Sequence, residues 1–217
     1  MDSKELIARR VAQELKEGYV VNLGIGLPTM IPSFLPIGVE ITLQSENGFL
    51  GLGPLVGDAQ PGVVNAGGQP CGLIPGAAIF DSATSFAFIR GGHVDVTVLG
   101  GLEVDQQGNL ANWMVPGKMV PGMGGAMDLV TGAKRVIVAM EHCTKDGEPR
   151  LLTQCTLPLT AKARVSLVVT ELAVLSVVHG EFVLRELAPG VSLDYVRDRT
   201  QARLLVSQDI KEMAFAR

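Results

Sequence analysis

Glycine punctuation constrains this chain more than any other feature. Of its 217 residues 26 are glycine, well above the usual ~7%. They are scattered among apolar runs, so they mark tight turns and close backbone packing, not disorder. Residues 19–23 read as a buried strand that runs into Gly24-Ile25-Gly26-Leu27-Pro28-Thr29. Pro28 suits the first turn of a helix that follows. Residues 94–99 alternate around Asp95 and Thr97 and run into Gly100-Gly101. Strands that break at glycine turns and lead into helices point to an α/β fold.

The length fits one compact α/β domain over residues 1–217, with no linker or internal repeat. Hydrophobic residues are 47% and charged residues 18%. The core can therefore be large, and a lightly charged surface suggests cover by another chain. A net charge of −4 with no long basic run argues against nucleic acid. Cys71, Cys143 and Cys155 have no paired spacing, which fits a reducing compartment. The charged start, residues 2–10, is not a secretory leader. No apolar run approaches the ~18 residues a membrane span needs. The expectation is a soluble, cytoplasmic protein with no membrane contact.

The coarse pattern is as follows. Residues 3–17 form an amphipathic helix with Leu6, Ile7, Val11 and Leu15 on one face, capped by Asp2 and ended by Gly18. After an irregular stretch, 54–62, come short strands and turns over 63–68 and 73–76. Asp81 or Ser82 caps a helix that ends at Arg90, with Phe86 and Ile89 on its buried face; Arg90 reads as a surface ion pair ahead of an anchor for a carboxylate or for a partner chain. Residues 105–108 make a hairpin turn, followed by a strand over 109–115 that carries Trp113 as packing. Strands are expected at 135–140, 151–160, 165–170, 173–178 and 181–187, the last two joined at His179-Gly180. Ser192 caps a short helix, residues 202–206 form a final strand, and the tail is a loose helix.

The stretch richest in chemistry is Leu43-Gln44-Ser45-Glu46-Asn47-Gly48-Phe49-Leu50-Gly51-Leu52-Gly53-Pro54. A strand over 40–43 breaks into a loop, because Asn47 and Gly48 tolerate positive φ. Glu46 sits at the break, and Phe49, Leu50 and Leu52 supply apolar cover. In open α/β sheets ligands bind at the carboxyl ends of strands, where this carboxylate lies. A free Glu ionises near pH ~4.3, so Glu46 is anionic at neutral pH. Desolvated and aimed, it can attack an activated carbonyl without a proton shuttle. Taken alone, a Glu-Asn-Gly is usually only a solvated loop.

Other motifs are weaker. Gly24 to Thr29 lacks the third glycine of a dinucleotide fingerprint, which argues against a nicotinamide enzyme. Its glycines can cradle an anionic or carbonyl group, or can simply make a tight turn. The second glycine-rich string, residues 116–129, leads into a short helix starting at Gly124-Gly125. Bare N–H groups there suit an oxyanion, and a close helix–sheet contact is the other reading. Glu141-His142-Cys143 looks like a site, yet adjacent strand residues point to opposite faces. His93, His142 and His179 have no i,i+4 partner, so no metal site and no Cys–His protease pair is expected.

The string around Glu46 resembles the active-site signature of the family I CoA-transferases, at their β-subunit. Asn22 to Thr29, Asn65-Ala66-Gly67, Pro75-Gly76-Ala77 and Met123 to Leu129 resemble further strings of that family, so the likeness spans nearly the whole chain. It implies an α/β fold with an open mixed, mostly parallel sheet and flanking helices, the CoA-transferase superfamily fold. It implies ping-pong transfer of coenzyme A between a short-chain acyl-CoA and a carboxylic acid such as acetoacetate, acetate or butyrate, through a Glu46 glutamyl-CoA thioester. Coenzyme A would be a covalently attached substrate, with no permanently bound cofactor. Asn22, Gly124 and Gly125 would meet the oxyanion or substrate. Gly24, Gly26, Asn47 and Gly48 would line the CoA and acyl pocket. An α-subunit would complete a hetero-oligomer. The acetate/acetoacetate type is the nearest likeness, and a 3-oxoacid type using succinyl-CoA or 3-oxoadipate is the alternative. A sugar-phosphate isomerase or hydrolase, and a non-catalytic structural subunit, are the rival readings.

Overall fold

A computed structural model describes residues 2–117 and 122–215. Residues 118–121 of the second glycine-rich string and the end of the tail lie outside the described residues. In chain order the elements are α1 (Ser3–Ala12), β1 (Val20–Leu23), a 3-10 helix (Leu27–Phe34), β2 (Thr42–Ser45), β3 (Phe49–Gly53) and β4 (Gly72–Ile79). Then come α2 (Ser82–Arg90), β5 (Val96–Leu99), β6 (Glu103–Asp105), β7 (Leu110–Ala111), α3 (Ala126–Gly132) and β8 (Arg135–Ala139). The last part holds β9 (Leu151–Leu152), β10 (Val165–Val169), β11 (Ala173–Val178), β12 (Glu181–Leu187), α4 (Leu193–Arg197) and β13 (Leu204–Glu212).

The main sheet is ten-stranded, in the order β13-β12-β11-β10-β8-β5-β1-β2-β3-β4. Its centre, β10-β8-β5-β1-β2, is parallel throughout. Antiparallel strands extend it on both sides, β3 and β4 beyond β2 and β11 and β12 beyond β10. This is the mixed, mostly parallel α/β sheet that the likeness to the CoA-transferases implies. Strand order reverses direction between β1 and β5, and α/β sheets take ligands at the carboxyl ends of strands near such a switch. A smaller sheet, β7-β6-β9, is not hydrogen-bonded to the large one but shares its core through Val104, Leu110 and Leu151.

Helices cover both faces, so the central strands are apolar on both sides. On one face α1 and the 3-10 helix pack through Ile7, Val11 and Ile31 onto Val21, Val96, Val98 and Ile137. On the other, Ile89 of α2 and Leu129 and Val130 of α3 meet Leu99, Val136 and Val138. The alternation along β8, Val136 and Val138 one way and Ile137 the other, follows from the period of a strand. Arg10 ties α1 to β12 by paired bonds to Glu186 at 2.6 and 2.7 Å.

Several expectations need correction. The first helix stops at Ala12, five residues short of Glu17, and continues as turns. Residues 49–53 are a strand, not a covering loop: Gly48 closes a hairpin, and β3 pairs with both β2 and β4. Phe49 and Leu52 form a small separate core with Val63. The strand at 151–160 shrinks to Leu151–Leu152, and that at 109–115 to Leu110–Ala111, because only those residues find a partner in the small sheet. The tail is not a helix but continues β13 to Glu212, paired with β12, and Met213 is buried beyond it.

Candidate active site

Glu46 occupies the tight turn that joins β2 to β3, at the carboxyl end of the parallel strand β2. The turn is closed by Gly48 N–H, which donates to the Ser45 carbonyl at 3.0 Å. Gly48 has φ +112°, and any side chain there would collide with the Phe80 carbonyl, so only glycine fits. Its own carbonyl accepts from Phe80 N–H at 2.9 Å. These contacts seat the turn on the residues that lead into α2.

The Glu46 carboxylate faces the start of α3. A side chain at Gly125 would collide with Glu46 Oε2 and would stand 2.9 Å from its Cδ and 3.1 Å from Phe86 Cε1. One at Gly124 would stand 3.7 Å from Oε1. Glycine is thus required at 125 so that backbone can approach the acid. Burial raises the Glu46 carboxyl above the ordinary range, the Gly125 backbone pulls it back, and the charge of Asp128 adds to the rise. Asp128 is itself paired with Arg90 at 2.7 Å, and the Arg90 side chain is 65% exposed, so Arg90 is the surface ion pair expected of it.

Beneath the turn runs a chain of buried polar groups. Asn22 Nδ2 donates to Gln44 Oε1 at 2.7 Å and to the Gln44 carbonyl at 3.2 Å. Gln44 Nε2 donates to Ser85 Oγ at 3.0 Å, and Ser85 Oγ donates to the Ser45 carbonyl at 3.2 Å. Register explains the first link, since Asn22 of β1 lies beside Gln44 of β2. Thr97 of β5 lies on the other side of Asn22, fully buried, with no partner for its hydroxyl among the described residues. Above the sheet, Asn47 Oδ1 accepts from Ser45 Oγ at 2.5 Å, and Asn47 Nδ2 donates to the Val64 carbonyl at 2.9 Å.

The structure therefore brings Glu46, Gly48, Gly124 and Gly125 together and links Asn22 to them through Gln44 and Ser85. Asn22 commits its amide donor to Gln44, so in this conformation it serves the chain under the turn. Gly24 packs against Leu99, and Gly26 is an exposed turn residue with φ +87°. Next to the turn opens a largely apolar cleft of about 840 Å³, lined among others by Leu23, Ile25, Leu43, Gln44 and Ser45. That volume lies within the range of small-molecule sites.

Sequence reasoning missed Gln44 and Ser85. The signal for Ser85 was its place four residues before Ile89, a polar group on the apolar stripe of α2. Gln44 lies just past the expected strand 40–43, and it became a strand residue only because β2 runs on to Ser45. What neither pattern carries is that the two meet, 41 residues apart in the chain.

Glu141-His142-Cys143 follows β8 and makes a different arrangement. His142 is fully buried between the hydroxyls of Thr170 and Thr200, each 2.9 Å from a ring nitrogen. Burial, with help from the Arg199 charge, lowers its pKa to about 4. Cys143 is pushed upward by burial first, so its thiolate is disfavoured. Beside them is a cleft of about 270 Å³ bounded by Glu141, Cys143, Glu171 and Arg199. Among the described residues no three His, Cys, Asp or Glu side chains converge as metal ligands.

A carboxylate desolvated at a strand end and set against bare backbone can act as a nucleophile toward an acyl group. Residues 4–199 match the family described as Coenzyme A transferase. The chain is 65% identical over 210 residues to the β-subunit of the acetate CoA-transferase of Escherichia coli K12, covering 97% of each. It is 53% identical over 205 residues to one of the subunits of a succinyl-CoA:3-ketoacid coenzyme A transferase of Helicobacter pylori, covering 94% of this chain and 99% of that one. In fold it is similar to the acyl-CoA transferase apoenzyme of E. coli O157:H7, with a TM-score of 0.79 at 24% identity, over 98% of this chain and 43% of that one. The chain belongs to the coenzyme A transferase family. Its chemistry is coenzyme A transfer.

Proposed function

We propose that this chain is the β-subunit of a short-chain acyl-CoA:carboxylate CoA-transferase, with Glu46 as the covalent carrier. The observation that carries the reading is the Glu46 carboxylate held against Gly125 at the end of β2. Glu46 attacks the thioester carbonyl of the acyl-CoA donor, forming an acyl–glutamyl anhydride and expelling CoA thiolate. The thiolate attacks the glutamyl carbonyl and releases the donor's carboxylate, leaving a Glu46–CoA thioester. The acceptor carboxylate then attacks that thioester, giving a new anhydride and thiolate. Attack of the thiolate on the acyl carbonyl forms the product acyl-CoA and frees Glu46.

Each carbonyl attack places negative charge on an oxygen beside Glu46. The backbone N–H groups of Gly124 and Gly125 are the donors for it, each worth roughly 3–4 kcal/mol if lost. The apolar cleft beside the turn shelters the anhydride from water and takes the acyl chain or the CoA arm. Gly24 and Gly26 flank Ile25, which lines that cleft, and with Asn47 of the turn they are assigned to the path of the CoA arm, while Asn22 acts on the turn from below. Thioester energy stays in covalent bonds, so no permanently bound cofactor or metal is required.

An α-subunit completes the enzyme, in keeping with the names of both relatives as single subunits of larger enzymes. The acetate/acetoacetate type is favoured because the E. coli acetate enzyme is the more similar of those two relatives. The 3-oxoacid type, the second reading, is favoured by the H. pylori relative. Free cysteines and the lack, among the described residues, of a helix long and apolar enough to cross a membrane fit a cytoplasmic setting. Initial rates of the αβ complex with acetoacetyl-CoA and acetate test the mechanism. Parallel double-reciprocal lines, and loss of transfer in Glu46→Gln, are expected. Intersecting lines or an active Glu46→Gln would overturn it.

A further inference from the structure

We infer that Ser85 is a positioning residue for Glu46, acting through the peptide bond that precedes it. The inference rests on Glu46 being the covalent carrier. Ser85 is fully buried on α2 and lines neither cleft. Its hydroxyl donates to the Ser45 carbonyl, which already accepts from Gly48 N–H. That carbonyl belongs to the 45–46 peptide, so two donors on one oxygen fix the plane from which the Glu46 side chain departs.

The hydroxyl is itself oriented. Gln44 Nε2 donates to Ser85 Oγ, and Gln44 Oε1 is filled by Asn22 Nδ2. Donation runs one way along the chain, from Asn22 to Gln44 to Ser85 to the Ser45 carbonyl. With its acceptor side occupied, the Ser85 proton has the Ser45 carbonyl as its target. Aligned hydrogen bonds of this kind strengthen one another in a buried setting.

Helix α2 also fixes the other side of the site. Phe86, the next residue, reaches to within 3.1 Å of where a Gly125 side chain would begin. Phe80, just before the helix, holds Gly48. Arg90, at its end, holds Asp128 of α3. One rigid element therefore sets both the nucleophile's turn and the backbone wall it faces, and Ser85 is the link from that element to the nucleophile's own peptide. Misplacement of a reacting group by about 1 Å can lower a rate by ~100-fold.

The test is Ser85→Ala in the complete αβ complex. Thioester formation is followed by rapid quench and mass spectrometry with saturating acyl-CoA. The expected result is a ~10–100-fold fall in the rate of Glu46–CoA formation and in kcat, with KM for acyl-CoA unchanged. The loss should largely vanish when Ser85→Ala is placed on Glu46→Asp, whose carboxylate is already misplaced. Ser85→Cys keeps the bulk and a weak donor, so its rate should fall between the two, and it serves if the alanine variant fails to assemble. An unchanged rate in Ser85→Ala, a full wild-type rate in Ser85→Cys, an effect on KM alone, or full additivity with Glu46→Asp would overturn the inference. If the unmodified enzyme forms no Glu46–CoA at all, it is the covalent-carrier reading that fails.

Discussion

Two buried polar clusters lie at strand ends of the same sheet, and they end differently. Under the turn after β2, Asn22, Gln44 and Ser85 pass hydrogen bonds toward a peptide whose next residue is Glu46. After β8 and β10, His142 spends both ring nitrogens on Thr170 and Thr200. Thr170 in turn accepts from the Ala173 amide, and Thr200 donates to the Val196 carbonyl. The second cluster closes on itself, and its most basic group is held neutral. The first leaves one acid faced by backbone at its end. By residue type alone, Glu-His-Cys is the more reactive set. What separates a site from a core is therefore whether the network leaves a reactive group at an open end.

Variants at the open end should change rate with little effect on stability, and those at the closed end the reverse. The largest expected effect is from Glu46→Asp. Shortening the arm withdraws the carboxylate from the Gly125 wall, and kcat should fall by ~1000-fold or more, with an unchanged melting curve. Gly125→Ala should come next. Its methyl would drive into the Glu46 carboxylate, and a ~100-fold loss of kcat is expected. A near-normal rate in either variant would erase the distinction between the clusters.

His142→Ala should do the opposite. It removes the partner of two buried hydroxyls and opens a void, so a loss of about 3 kcal/mol of stability is expected by chemical denaturation. Specific activity of the folded fraction should be retained. The unmodified protein offers a related check. An exposed His has a pKa of 6.5, and burial lowers that of folded His142 to about 4. Between those values the unfolded chain binds a proton that the folded chain refuses, so stability falls as pH falls through that window. His142 alone contributes up to roughly 3 kcal/mol to that slope, and His142→Gln should flatten it.

The smallest expected effect is Asp128→Asn. The Glu46 carboxyl is raised by burial and further by Asp128. The acid limb of the transfer rate should therefore sit above the pH of an ordinary Glu, because protonation removes the nucleophile. Without the Asp128 charge that limb should move to lower pH, as read from kcat/KM against pH. An immobile limb would mean that the two acids do not sense each other.

Much of the fold could be read from local chemistry. Asp81 before α2 and Ser192 before α4 cap as their types suggest. The His179-Gly180 pair takes positive φ at both positions and joins β11 to β12 where expected. Those features depend on neighbours in sequence. The errors lie where a distant partner decides. The tail became β13 because β12 offered it an edge, and residues 153–160 stayed irregular because the small sheet pairs only Leu151 and Leu152. The site followed the same rule. Glu46 and the glycines at 124 and 125 stood out within their own strings. Gln44 and Ser85 gained meaning only when β2 and α2 were laid together.

The most direct measurement is of where coenzyme A becomes attached. The αβ complex is mixed with acetoacetyl-CoA without an acceptor acid, quenched in acid, digested and analysed by mass spectrometry. The expected result is CoA joined as a thioester to the peptide that contains Glu46, and its loss on adding acetate. An unmodified Glu46 peptide, or an acyl group carried by Cys143 in the closed region, would contradict the assignment.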